Sequence, residues 1–343
     1  MVWKGKSFIC PRKMLPFFSD QKADSDQYRV SKQRHFLQIR FCLRRPGIRA
    51  ERGLLLGNMS HTYRHILEYL EEWAPQSTKL EYDNVGLLVG SEDHEVSRIL
   101  ACLDVTPEVV EEAVAMEADL IVAHHPLIFR KLSRITPSDT TGSLIYRLIK
   151  NDIGVLAAHT NLDAAPGGVS FVLADRLGLI EVHFLATEEQ PKSLRNGGNS
   201  GAGPARAVRQ TGFGAIGKLP EPMDVSGFLD LVGERLGSSG IRCSGNPSTI
   251  HKVAVCGGAG SSLVDEARRQ GADAYITADL KYHEFFSGSD AFLLVDAGHY
   301  ESEVPVVKAL CDRLRDRFPD LEVHHTAVDT NPVRYVFQEQ PQK

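Results

Sequence analysis

The chain has 343 residues, 42% hydrophobic and 24% charged, with a formal net charge of −5. These proportions are those of a globular protein, and no apolar run approaches the roughly 18 residues of a membrane span, which excludes a membrane-spanning chain of helical type. The length exceeds what one hydrophobic core usually serves, so two lobes are expected. The six cysteines (Cys10, Cys42, Cys102, Cys243, Cys256 and Cys311) form no CxxC pair and no dense framework. They read as reduced thiols in a cytoplasmic protein.

Charge divides the chain unevenly. Residues 1–58 carry 13 Lys and Arg against 4 Asp and Glu, which leaves 26 against 40 for the rest. The leader shows no sustained helical period, no strand alternation and no signal-peptide core. Three readings fit it: a basic disordered arm for nucleic acid, an Arg-rich transit-like segment, or upstream sequence ahead of a true start at Met59. The last is favoured because Met59 stands just before the first organised helix. If the leader is translated, low order is expected of it.

From Met59 the elements follow in order. A helix is predicted over Tyr63 to Trp73, with Ile66, Leu67 and Leu70 on one face, and then a short strand within Glu81 to Gly90. Arg98 to Asp104 reads as a buried strand. Thr106-Pro107-Glu108 has the chemistry of a helix start, a hydroxyl cap, proline at the first position and acid in the first turn. The helix through Met116 leads to a strand, Asp119 to Ala123, that ends in His124-His125-Pro126. Gly142 to Asn151 is a further helix, before the strand Ile153 to Ala158. Residues 188–210, rich in Gly and Ser, have the composition of a surface loop. Beyond it the βαβ unit recurs: strand Lys252 to Cys256, the turn Gly257-Gly-Ala-Gly260, helix Ser262 to Gln270 and strand Ala272 to Thr277, then a last strand, Ala291 to Val295. Setting Ala118-Asp119 against Ala272-Asp273 places His124-His125 opposite Ala278-Asp279.

Polar groups gather where these strands end. His159-Thr-Asn-Leu-Asp163 and His299-Tyr-Glu-Ser-Glu303 share a histidine followed four residues later by a carboxylate, and His124-His125 closes a third strand. Any one of these motifs alone is equally a turn or a helix cap. Three together are the usual ligands of a divalent metal, and open α/β sheets place such sites beyond the carboxyl ends of their strands. Gly257 to Gly260 reads as a tight strand-to-helix turn more simply than as a phosphate cradle, and Asp83-Asn84 as an Asx-type turn.

Five motifs in order carry a resemblance: Glu81-x-Asp83-Asn84-x-Gly86-Leu87, Ala123-His-His-Pro126, His159-Thr-Asn-Leu-Asp163, Thr277-Ala-Asp-Leu-Lys-Tyr-His-Glu284 and Asp296-Ala-Gly-His-Tyr-Glu-Ser-Glu303. Over about residues 60–335 the chain resembles the dinuclear-metal family of YbgI-like and YqfO-like proteins, also called Nif-three-like, whose members carry the name GTP cyclohydrolase 1 type 2 homologue. The resemblance implies two duplicated, intertwined α/β lobes around a metal cleft, with halves at 59–187 and 211–343. It implies two divalent ions per chain, of zinc, iron or manganese, held by His124, His125, Asp163, His299 and Glu303. His159, Asp279 and His283 would be catalytic or ligand-orienting groups. Ala278 stands where the family phrase has glycine. With only the short loop between its halves the chain resembles the short form, whose relatives assemble as ring-like hexamers. The implied chemistry is metal-assisted hydrolysis of a small molecule, in the family's name a nucleotide. The alternative is an oligomeric metal-binding scaffold or regulator without turnover. Nucleic-acid binding rests on the leader alone, and the acidic remainder argues against it.

Overall fold

The computed structural model describes residues 60–188, 210–238 and 240–336. The basic leader with Met59 and nearly all of the 188–210 loop lie outside the described residues.

The chain opens with β1 (His61–Thr62) and α1 (Tyr63–Trp73), followed by β2 (Gly86–Val89), β3 (Glu95–Val96), β4 (Arg98–Cys102), α2 (Pro107–Ala115) and β5 (Leu120–Ala123). Next come α3 (Thr140–Lys150), β6 (Gly154–Ala157), α4 (Thr160–Asp163), α5 (Val169–Arg176) and β7 (Ile180–Glu188). Helix α1 occupies the span its periodicity predicts and buries Tyr63, Ile66, Leu70 and Trp73, a spacing of three and four that makes one face. Helix α2 starts as its sequence dictates, with the Thr106 hydroxyl accepting the Val109 amide at 3.3 Å and Pro107 at the first position.

The rest of the chain runs β8 (Thr211–Met223), α6 (Val225–Leu236), β9 (Arg242–Ser244), β10 (Ile250–Ala259), α7 (Val264–Arg269), β11 (Ala274–Ala278), β12 (Leu293–Asp296), α8 (His299–Glu303), α9 (Pro305–Arg317) and β13 (Glu322–His325). Two sheets result, ordered β13-β4-β5-β6-β2 and β7-β8-β10-β11-β12-β9, beside the small β1-β3 pair. In the first, β13, β4, β5 and β6 are parallel and β2 is an antiparallel edge. In the second, β10, β11 and β12 are parallel, β9 is antiparallel to β12, and β8 to β10. Strands β5 and β6 are buried throughout, which explains their unbroken apolar runs, because both faces of the sheet are covered.

The duplication is visible in hydrogen bonds. The order β4-β5-β6-β2 repeats as β10-β11-β12-β9, with matching strand directions. Asp119 Oδ2 accepts the Ser97 and Arg98 amides at 2.9 and 3.0 Å, and Asp273 Oδ2 accepts the His251 and Lys252 amides at 2.9 and 2.8 Å. Each aspartate thus clamps the start of its central strand to the neighbouring one. The lobes also exchange elements. Strand β7, which precedes the loop, pairs with β8 in the second sheet, while α9 and β13 return to the first, where Val306, Val307, Leu310, Cys311 and Leu314 share a core with Ile99 and Ala101.

One sequence expectation is corrected. Gly257 and Gly258 lie inside β10 rather than in a turn after it, since the strand continues to Ala259 across a register shift. Gly258 has φ +62°, and a Cβ there would lie 2.1 Å from Glu303 Oε1. The glycines let α8 press against the strand, and Gly258 N–H donates to Ser302 Oγ at 3.0 Å to hold it there. No helix of the described residues is long and apolar enough to cross a membrane.

Candidate metal centre

The ends of β5, β6 and β12 deliver their polar side chains to one place. His124 and His125 follow β5 directly. His159 follows β6 at the start of α4, which carries Asp163 on its last residue, and α8 begins at His299 and ends at Glu303, one turn later on the same face. The rings of His125 and His299 lie 5.4 Å apart, as do those of His125 and His159, and His124 is 5.0 Å from His125. Ligand atoms of His124, His125 and His159, and of His125, His299 and Glu303, fall within 4.8 Å of one another and could hold a metal ion.

Every imidazole in this set is fixed from behind through Nδ1. His124 is 2.8 Å from the Ala158 carbonyl, His125 2.7 Å from Asp104, His159 2.8 Å from Asp83 and His299 2.8 Å from Asp279. With Nδ1 engaged outward, each Nε2 is left to the centre, the arrangement that outer partners impose on metal-binding histidines.

Three of the inward atoms are left without hydrogen-bond partners. His124 Nε2, Asp163 Oδ1 and Glu303 Oε2 are sealed from solvent with no hydrogen-bond partner. His124 Nε2 stands 3.7 Å from Asp163 Oδ1 and 3.9 Å from Glu303 Oε2, too far for hydrogen bonds but the separation of two ligands each about 2.0–2.2 Å from one ion. Glu303 Oε2 is in ion-pair contact with Nε2 of both His125 and His299, at 2.9 and 3.0 Å, out of line for a hydrogen bond. One carboxylate oxygen thus faces three imidazoles.

The electrostatics follow from this packing. Burial pushes His124 down to about 3, so its ring is neutral. Burial also works against charge on His125 and His299, but Asp104, Asp279 and the shared Glu303 carboxylate outweigh it and raise them to about 10 and about 9. For Glu303 the same histidines overcome burial and hold the carboxylate well below its usual range. Burial and the Glu303 charge push Asp163 up instead. Glu303, and not Asp163, is thus the acid that the His125 and His299 imidazoliums hold ionised.

The two remaining residues expected at the site fall differently. Asp279 contacts His299 and so orients a candidate ligand, and its φ of +57° turns it out of β11 toward that ring. His283 is exposed on the short turn Tyr282–Ser287, its ring against Tyr282 and Phe286. Asp104 escaped the sequence reading, although it closes the strand beside His125. Asp83, read there as a turn residue, is buried and also accepts the Thr160 amide at 3.0 Å.

An α/β fold in which two duplicated lobes bring His and acidic strand ends together defines a class of candidate metal-binding proteins. Residues 61–332 match the family described as Duf34/NIF3 (NGG1p interacting factor 3), and the chain belongs to that family. A Streptomyces coelicolor protein named GTP cyclohydrolase 1 type 2 homolog is 36% identical over 276 residues, covering 78% of this chain and 92% of that protein. A Clostridium acetobutylicum protein of the same name is 32% identical over 258 residues, covering 75% and 90%. The crystal structure of a Staphylococcus aureus hypothetical protein is similar with a TM-score of 0.71 at 27% identity, covering 81% of this chain and all of that one (100%).

Proposed function

We propose that the chain is a dinuclear metal-binding protein that hydrolyses a nucleotide or related small molecule. The observation that carries this reading is the set of buried, partnerless atoms of His124, Asp163 and Glu303 facing the Nε2 atoms of His125 and His299. An imidazole and two carboxylate oxygens are costly to seal without donors or a cation. The name shared by the Streptomyces and Clostridium relatives supports the choice of a nucleotide.

In this reading His124, His125, Asp163, His299 and Glu303 would hold two divalent ions, of zinc, iron or manganese. When bound, such ions supply Lewis acidity and lower the pKa of water. The chain's own groups do the rest. His159, its Nδ1–H held by Asp83, keeps Nε2 free to take a proton from an incoming water or return one to a leaving group. Asp104 and Asp279 keep the rings of His125 and His299 in the ligand tautomer. The protein is taken to be cytoplasmic and a homo-oligomer, a hexamer by the resemblance, which light scattering measures.

The test is elemental analysis of the purified chain beside Glu303→Ala, followed by a screen of nucleotides and phosphoesters with the metal so identified. About two ions per chain, lost in the variant, with turnover lost alongside and the oligomer intact, is the expected result. No bound ion after reconstitution would defeat the reading. Bound ions with no turnover, and disassembly on chelation, would favour the scaffold.

A further inference from the structure

A cleft of about 630 Å³ opens beside the candidate centre, and its wall includes His125 and His299, so that a molecule filling it lies against two candidate ligands. Three of the acids on that wall are already committed: Asp104 to His125, Asp279 to His299 and Asp296 to the Arg242 guanidinium. Glu301 differs. It is only 7% exposed, and its donors are neutral, the Asn331 side-chain amide at 3.1 Å and the Tyr335 hydroxyl at 3.4 Å.

Both of those bonds fall on Oε1; among the described residues no hydrogen bond is made to Oε2. That second oxygen is folded over Gly298, whose φ of +96° and missing side chain make the room, since a Cβ there would lie 2.1 Å from it. A carboxylate is an acceptor only, and a buried one is stabilised by whatever N–H or O–H groups reach it. Glu301 is two residues from both His299 and Glu303, so it projects from a different face of α8 and addresses a part of the ligand remote from the metals. Around it Tyr300 and Tyr335 supply aromatic surface, and Arg242 is stacked on Phe285 at 5.2 Å. Flat walls with one unused acceptor suit a flat ligand with donors on its edge.

We infer that this cleft binds a planar nitrogen heterocycle, and that Glu301 Oε2 accepts a hydrogen bond from an exocyclic amino group on the heterocycle's edge. This deepens the small-molecule reading above and rests on it, naming Glu301 as the residue that selects the ligand.

The test uses the full metal-loaded chain and calorimetric titration with guanosine and with inosine, which lacks the exocyclic amino group. Guanosine is expected to bind at least about tenfold more tightly, the worth of one hydrogen bond to a charged acceptor. Glu301→Gln keeps an oxygen for Asn331 and Tyr335 but places NH₂ at the other position; it should abolish the preference with metal content and melting temperature unchanged. Asn331→Ala, which leaves the carboxylate intact, should keep the preference. Absence of guanosine binding, equal affinity for the two nucleosides, or a preference that survives Glu301→Gln would overturn the inference; equal loss of folding in Glu301→Gln and Asn331→Ala would reduce Glu301 to an anchor for the C-terminal segment and overturn it likewise. Selective guanosine binding that persists in Glu303→Ala, with turnover found in neither protein, would leave this inference standing and defeat the hydrolase reading. Turnover of a nucleotide with no dependence on Glu301 would do the reverse.

Discussion

The two lobes build the same scaffold and put different chemistry on it. Strands β4-β5-β6 and β10-β11-β12 match in order and direction, and Asp119 and Asp273 clamp each in the same way. Yet β5 ends in His124-His125, two candidate ligands, where β11 ends in Ala278-Asp279, a small residue and an acid that orients a ligand from the next strand. At the third strand the lobes converge again, each giving a histidine and a carboxylate four residues on. Here His159 is held by Asp83, while His299 sits against Glu303. Backbone clamps need only a carboxylate at one position. A centre between the lobes needs each side to supply what the other lacks, so the strand ends are free to diverge.

Glu303→Ala breaks the comparison hardest, because it removes the oxygen on which three imidazoles converge. Metal affinity should fall by more than the roughly 10–100-fold that loss of an outer partner costs, measured by competition with a chromogenic chelator. Next come the clamps. Asp119→Ala leaves three donors without their acceptor, the amides of Ser97 and Arg98 and the Ser97 hydroxyl, and Asp273→Ala leaves two amides. Denaturant titration should show losses of about 3 and about 2 kcal/mol, with metal stoichiometry unchanged at temperatures where both variants are folded. Unequal effects in the opposite order would mean that the lobes are not equivalent scaffolds.

The orienting acids sharpen the contrast further. Asp104→Asn should cost toward 100-fold in metal affinity and Asp279→Asn about tenfold, since Asp104 is the less exposed of the two side chains, 34% against 57%. The pH dependence separates the candidate ligands by their surroundings rather than by lobe. His125 and His299 are raised from 6.5 to about 10 and about 9, so their pairing with Glu303 stabilises the metal-free fold fully below pH 6.5 and is lost as the pH rises through 9 and 10. Melting temperature of the metal-free protein should decline over that window, and the decline should be smaller in Glu303→Ala, where Asp104 and Asp279 still hold the two rings. At pH 7 metal binding should release at least about two protons, from His125 and His299, with none from the neutral His124 and any further one from the raised Asp163, read from calorimetry in buffers of different ionisation enthalpy. His283→Ala, on the exposed turn, should alter affinity less than about twofold.

Much of this arrangement was legible in the sequence because period and strand length are local signals. Tyr63 to Trp73, the buried strands at β4, β5 and β6, and the alignment of Asp119 with Asp273 all follow from neighbours within about ten residues. The gathering of His124, His125, His159, Asp163, His299 and Glu303 followed from the rule that ligand sites lie beyond strand ends. What escaped depends on distant partners. Asp83 meets a histidine 76 residues away and Asp104 one 21 residues away, and no periodicity encodes such a pairing. The glycines of β10 were misjudged for the same reason, since the group they make room for, Glu303, lies far along the chain. Glu301 sits inside a motif already noticed for its neighbours, and only the approach of Asn331 and Tyr335 distinguishes it.

The exchange of elements between lobes sets the order in which the protein can be finished on the ribosome. The first sheet leaves the exit tunnel with β4, β5 and β6 but without its β13 edge and without α9, whose apolar face belongs to its core. His299 and Glu303 stand immediately before α9, so the docking of that helix also brings the last candidate ligands to the first. A nascent chain halted before residue 299 therefore carries His124, His125 and Asp163 but lacks the candidate ligands His299 and Glu303. The final segment therefore supplies two things at once, the missing edge and core helix of the first sheet and the remaining candidate ligands of the centre.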